Sequence, residues 1–161
     1  MLISFLGRNK VMKYDNRIIR WSKIATIIFI ALVVVADLFG VVISSYISLV
    51  WAERSDTFAI LLLTTVWYMG TVGAYGILIS VYKLLTNMGK DIVFDRANTG
   101  LMKIMVIGLI AIAAGCALGS IAWIGTSFLS MVALFMALIV SCVRVVFDKA
   151  ITMKEEMDLT I

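Results

Sequence analysis

Apolar positions along the chain fall into four long runs, roughly 24–50, 58–85, 99–123 and 127–147, separated by short polar breaks. A bilayer core takes about 20 residues of helix to cross, so each run predicts one transmembrane helix. Two of the breaks are brief: WAERSDTF after the first run, and a turn at Ile124, Gly125 and Thr126 after the third. The middle break is different. From Gly89 to Lys103 it reads GKDIVFDRANTGLMK, polar and charged, and it divides the chain into two hairpins. The pattern therefore predicts an all-α fold, an integral membrane four-helix transmembrane bundle of two hairpins. A lead-in over 1–23 precedes the bundle (24–147), segment 86–98 joins its halves, and a helical tail follows over 148–161. Proline is absent, which predicts continuous crossings.

Composition reinforces this class. Of 161 residues, 63% are hydrophobic and 15% charged, and the mean hydropathy is +1.09, outside the range of soluble domains. The net charge of +4 invites a nucleic-acid reading, but its placement follows membrane topology, and no direct nucleic-acid contact is expected. Arg8, Lys10, Lys13, Arg17, Arg20 and Lys23 precede the first run. Lys83, Lys90, Arg96 and Lys103 surround the central segment, and Arg144, Lys149 and Lys154 accompany the end of the last run. Arg54 alone falls on the opposite side. The positive-inside rule then puts both termini and the central segment in the cytoplasm of a multi-pass plasma-membrane protein. Ile18, Ile19 and Trp21 suit the headgroup layer, where each neighbouring cation adds about 1 kcal/mol against anionic lipid. A late, long apolar run without a small-residue cleavage pattern does not fit a removable signal peptide.

Inside the runs, Asp37 is the anomaly. A mid-membrane aspartate costs about 2.5–3.5 kcal/mol on insertion scales, so it should face protein. It reads either as an ion or proton site or as a hydrogen-bonded packing residue, and the lack of another charge at its depth favours packing. Counting from the outer loop brings Thr64, Tyr68 and Thr71 level with it. Tyr68, Tyr75 and Tyr82 share one helical face, and Gly70, Gly73 and Gly76 form a small-residue stripe beside it. Ala111, Gly115 and Gly119 make a small face on the third crossing, and Ser130, Ala133, Ala137 and Ser141 make one on the fourth. Such faces pack within the chain or against a second copy. Arg144 is placed to snorkel to the headgroups without a buried partner. Cys116 and Cys142 are offset by about 12 Å if the last two helices reverse at Gly125, too far for a disulfide. With no histidine, and with no carboxylate or glycine-rich motif for metal or phosphate, no cofactor, metal site or catalytic constellation is expected.

The cytoplasmic pieces carry a resemblance. Gly89, Phe94, Asn98 and Leu101 before the third crossing, together with the ending KEEMDLTI, are similar to the DUF 2975 family of small bacterial membrane proteins of unknown function. The four-crossing layout fits as well, while the glycine-rich second crossing departs from the pattern. The resemblance implies a non-enzymatic protein that holds or modulates a small helix-turn-helix regulator. Phe94, Asn98, Leu101, Glu155, Glu156, Asp158, Leu159 and Ile161 form the expected partner surface, and the acidic tail suits a basic regulator. A charged helical tail is, on the other hand, ordinarily just solvated. The competing reading is a small transporter, channel subunit or immunity-type protein that works through Asp37.

Overall fold

A computed structural model describes residues 2–90, 92–93 and 95–158, with side chains described from 17 to 157 within those ranges. Among the described residues the chain is helical, without strands. Helix α1 is Leu2–Leu38 and α2 is Gly40–Tyr46, continued by a π-helical turn over Ile47–Trp51. Helices α3 (Thr57–Met88), α4 (Arg96–Gly119) and α5 (Gly125–Asp158) follow. Four of these, α1 from Arg17 onward, α3, α4 and α5, are long and apolar enough to cross a membrane.

The first crossing is not continuous, contrary to the expectation from the missing proline. Helix α1 stops at Phe39, whose φ of −102° and ψ of 7° leave the helical region. Gly40 supplies the reason for a break here: a Cβ on it would lie 2.9 Å from the Trp67 ring, so only glycine lets this backbone close on α3. At the far end the wide turn delivers Ala52 N–H to Ile47 O. Ser48, fully buried, closes that loop by donating to Arg54 O at 2.8 Å while its own carbonyl accepts from Arg54 N–H.

Packing runs in chain order. Helices α1 and α2 lie on α3, α3 lies on α4, and α4 lies on α5, while among the described residues α5 does not pack closely on α1 or α3. The bundle is therefore an open row. Small and hydroxylated side chains hold it together: Ala59, Ala113, Ala133, Ala137, Ser44 and Ser130 are buried, whereas Leu38, Val72 and Phe128 are exposed. This inverts the arrangement of a soluble protein and suits helices whose surroundings are themselves apolar. The tightest crossing joins α3 to α4. A Cβ on Gly73 would lie 3.1 Å from Gly108 O, and one on Gly108 would lie 3.1 Å from Gly73 O, so the two backbones touch. On the other side of α4, Ser130 donates to Ala113 O at 2.8 Å, and Ala133 and Ala137 lie buried along the same α5 face. The α5 stripe thus packs within the chain. Of the α4 stripe, Gly115 and Gly119 are buried and Ala111 is exposed.

Candidate functional site

Three places in the fold carry polar chemistry: the α1–α3 contact around Asp37, the Arg54 end, and the end where the central segment meets the tail.

At the first, Tyr75 donates its hydroxyl to Asp37 Oδ2 at 2.8 Å, and Tyr68 donates to the backbone carbonyl of Asp37 at 3.2 Å. Asp37 Oδ1 is buried without a partner. Counting residues placed Tyr68 within reach of Asp37 and Thr71 midway between the two tyrosines, but Thr64 lies nearer the Arg54 end, beside Ser44. The count missed the reach of the side chains: a phenol extends about a helical turn along the axis, whereas a threonine hydroxyl stays near its own backbone. Thr71 bonds Tyr68 O, and Thr64 bonds Ile60 O and Ser44 Oγ at 2.6 Å. Neither meets Asp37. Next to this contact the open row leaves an apolar cavity of about 410 Å³, lined by Val33, Ser44, Trp67, Cys116 and Leu129 among others. Both cysteines are free, with Cys116 half-buried and Cys142 exposed.

At the Arg54 end, the lone cation ties two loops together. Arg54 holds Asp56 through Nε and Nη2 at 2.9 and 3.0 Å and donates from Nη1 to Ile121 O at 3.1 Å. Asp56 also caps α3 by accepting from Ala59 N–H. The hydrogen bond from Arg54 is the main reason that the Asp56 carboxyl is held below its ordinary value of 3.8. Trp51 and Trp123 meet edge to face across these loops at 6.1 Å.

The third place brings the central segment and the tail together. Arg96, in the first turn of α4, clasps Glu155 of α5 with Nη2–Oε2 at 2.7 Å and Nε–Oε1 at 3.1 Å. Glu156 is exposed beside it, and Leu101 is half-buried against a cavity that also touches Tyr82 and Asn87. Asn98 does not belong to a docking surface: it is fully buried, donating to the carbonyls of Ile92 and Val93 at 2.8 Å and accepting from Asn87 at 2.7 Å. Its amide holds the folded-back loop by donating and accepting together. Asp95 caps α4, accepting from Ala97 N–H at 2.7 Å. Asp158 ends α5 with its side chain outside the described residues; Phe94, Leu159 and Ile161 lie outside them altogether. What the sequence does not reveal is the exposed Met153–Met157 pair, one turn apart on the tail, and the buried Nε of the otherwise partly exposed Arg144. Arg144 Nε is buried without an acceptor, and Asp148 is its nearest carboxylate at 3.8 Å. Among the described residues no three cysteine, aspartate or glutamate side chains converge as metal ligands do.

The profile of the family described as "Protein of unknown function (DUF2975)" matches residues 44–161, from α2 through the tail. No curated protein and no solved structure matches the chain.

Proposed function

The chain belongs to the DUF2975 family of proteins of unknown function, and from that premise we propose that it is a non-enzymatic, multi-pass plasma-membrane protein that binds and modulates a small cytoplasmic helix-turn-helix regulator. Both termini and the central segment lie in the cytoplasm in this reading, as the distribution of Lys and Arg indicates. The supporting observation is the Arg96–Glu155 ion pair, which joins the central segment and the tail into one polar end. The surface offered there is the α5 tail, with Met153 and Met157 exposed at 56% and 64% among Lys154 and Glu156. Flexible thioethers fit apolar side chains of varied shape, and the acidic groups favour a basic partner. Asn98 fixes the central segment that leads into Arg96.

Co-purification from membranes tests the reading. A small helix-turn-helix protein should be retained by the intact chain and lost after deletion of 154–161 or replacement of Met153 and Met157 by Ser. Retention unchanged in both variants removes the proposed surface.

A second reading has one observation in its favour, the buried and unpartnered Asp37 Oδ1 beside the apolar cavity. There the protein would be a small transporter, channel subunit or immunity-type protein, and Asp37→Asn would abolish flux or resistance in a folded, inserted chain. Full activity in that variant eliminates a charge-dependent role.

A further inference from the structure

Between α4 and α5, where the apolar stretch of α5 gives way to its charged tail, lies a cavity of about 340 Å³ walled by Arg96, Thr99, Arg144, Asp148, Ile151 and Thr152. Its polar groups are incompletely satisfied. Arg144 Nε is buried with no hydrogen-bond acceptor, and the 3.8 Å separation from Asp148 Oδ2 is too long to provide one. Arg96 spends Nε and Nη2 on Glu155, which leaves Nη1 uncommitted. The hydroxyls of Thr99 and Thr152 donate to Arg96 O and Asp148 O, so their oxygens retain acceptor capacity.

These donors call for an anion, and a planar guanidinium is matched to phosphate. Asp148 argues against a simple anion, because a bare phosphate beside Arg144 would also lie beside that carboxylate. A ligand carrying phosphate and ammonium together answers both charges. Depth points to its source: Val145 and Val146 are exposed just before Asp148, as for side chains facing hydrocarbon, so the cavity mouth sits at the level of the headgroups once the helices cross a bilayer. We propose that this cavity is a binding site for a zwitterionic phospholipid headgroup bearing a primary amine, with phosphate held by Arg144 and Arg96 Nη1 and the ammonium by Asp148 and the threonine oxygens. The site requires membrane insertion but not the regulator, so its failure leaves the docking reading untouched.

The full chain, purified in mild detergent and offered equal amounts of phosphatidylethanolamine, phosphatidylcholine and phosphatidylglycerol, is scored by native mass spectrometry for retained lipid. Phosphatidylethanolamine should be retained several-fold over the other two. Arg144→Gln should lower that retention about tenfold, the scale of one charge-assisted hydrogen bond. Asp148→Asn should turn the preference toward phosphatidylglycerol, and Lys149→Gln, a charge change on the exposed side, should alter nothing. Circular dichroism and melting verify folding. If Arg144→Gln does not fold, the switch in Asp148→Asn decides alone. Equal retention of the three lipids by the wild type, or unchanged selectivity in Asp148→Asn, overturns the site. Stabilisation by soluble phosphoethanolamine equal to that by the lipid overturns the assignment to a membrane lipid.

Discussion

Arg96 and Glu155, 59 residues apart, meet through two parallel hydrogen bonds and fasten the end of α5 to the beginning of α4. The pair is well exposed, with 73% and 49% of the two side chains accessible, so water and salt screen it. Its effect is on position more than on stability. Glu155→Ala should leave the melting temperature unchanged but widen the distribution of spin-label distances between Lys103 and Lys154. Arg96→Glu with Glu155→Arg should restore the narrow distribution, and failure of that exchange would show that other contacts place the tail.

Asn98 should respond in the opposite manner. Replacing it with Ala strands two carbonyls and the Asn87 amide in a partly buried place, at a cost of about 1–3 kcal/mol. Asn98→Asp should be worse, since it sets a carboxylate against the carbonyls of Ile92 and Val93. Denaturant unfolding in detergent, followed by circular dichroism, measures both.

The α3–α4 crossing predicts a contrast among glycines. At Gly73 a side chain would meet Gly108 O and the Ile112 side chain, so Gly73→Val should separate the helices and cost about 1–3 kcal/mol. Gly70 and Gly100 have open space where a Cβ would go. Alanine at either should be neutral or stabilise by up to about 1 kcal/mol through helix propensity. Thermal melts of the three variants in one detergent check the order.

The four long helices and the polar breaks between them were legible because each follows from chain-local signals: apolar run length and charge placement. Side-chain destinations were less so. The break at Phe39 depends on Trp67 lying against Gly40, a contact between residues far apart in the sequence. Gly73 belongs to a visible stripe, but nothing in the local pattern selects Gly108 as its partner. A periodicity argument likewise cannot tell that Asn98 turns inward to its own loop, or that Arg144 buries its Nε beside α4 while the rest of the side chain stays partly exposed.

Asp56 gives the Arg54 end a pH dependence. A carboxyl whose pKa is lower folded than unfolded adds stability that is complete above the unfolded value and is lost as pH falls through the folded one. The ordinary value is 3.8 and the Arg54 hydrogen bond lowers it, so the loss begins as pH approaches 3.8 and finishes below it. Fluorescence of the Trp51–Trp123 pair, followed from about pH 6 down to pH 3, should report loosening of the two loops. Asp56→Asn should remove this component of the acid transition, and an identical curve would assign it to other carboxylates.

The contact between Tyr75 and Asp37 carries the last prediction. Tyr75 is the only side chain that donates to this carboxylate among the described residues, and Oδ1 is already without a partner. Tyr75→Phe leaves both oxygens unsatisfied in an apolar setting and should cost about 1–3 kcal/mol. Tyr68→Phe loses only a longer bond to a neutral carbonyl and should cost about 0.5–1 kcal/mol. Asp37→Asn keeps an acceptor for Tyr75 while removing a charge that is expensive away from water, so it should be neutral or stabilising. The double variant Asp37→Asn with Tyr75→Phe should then be less destabilised than Tyr75→Phe alone, because Asp37→Asn removes the charge that makes loss of the Tyr75 hydroxyl costly. Additive losses in that cycle, measured by unfolding in one detergent, would mean that the tyrosine stabilises the α1–α3 contact by packing and not through the carboxylate.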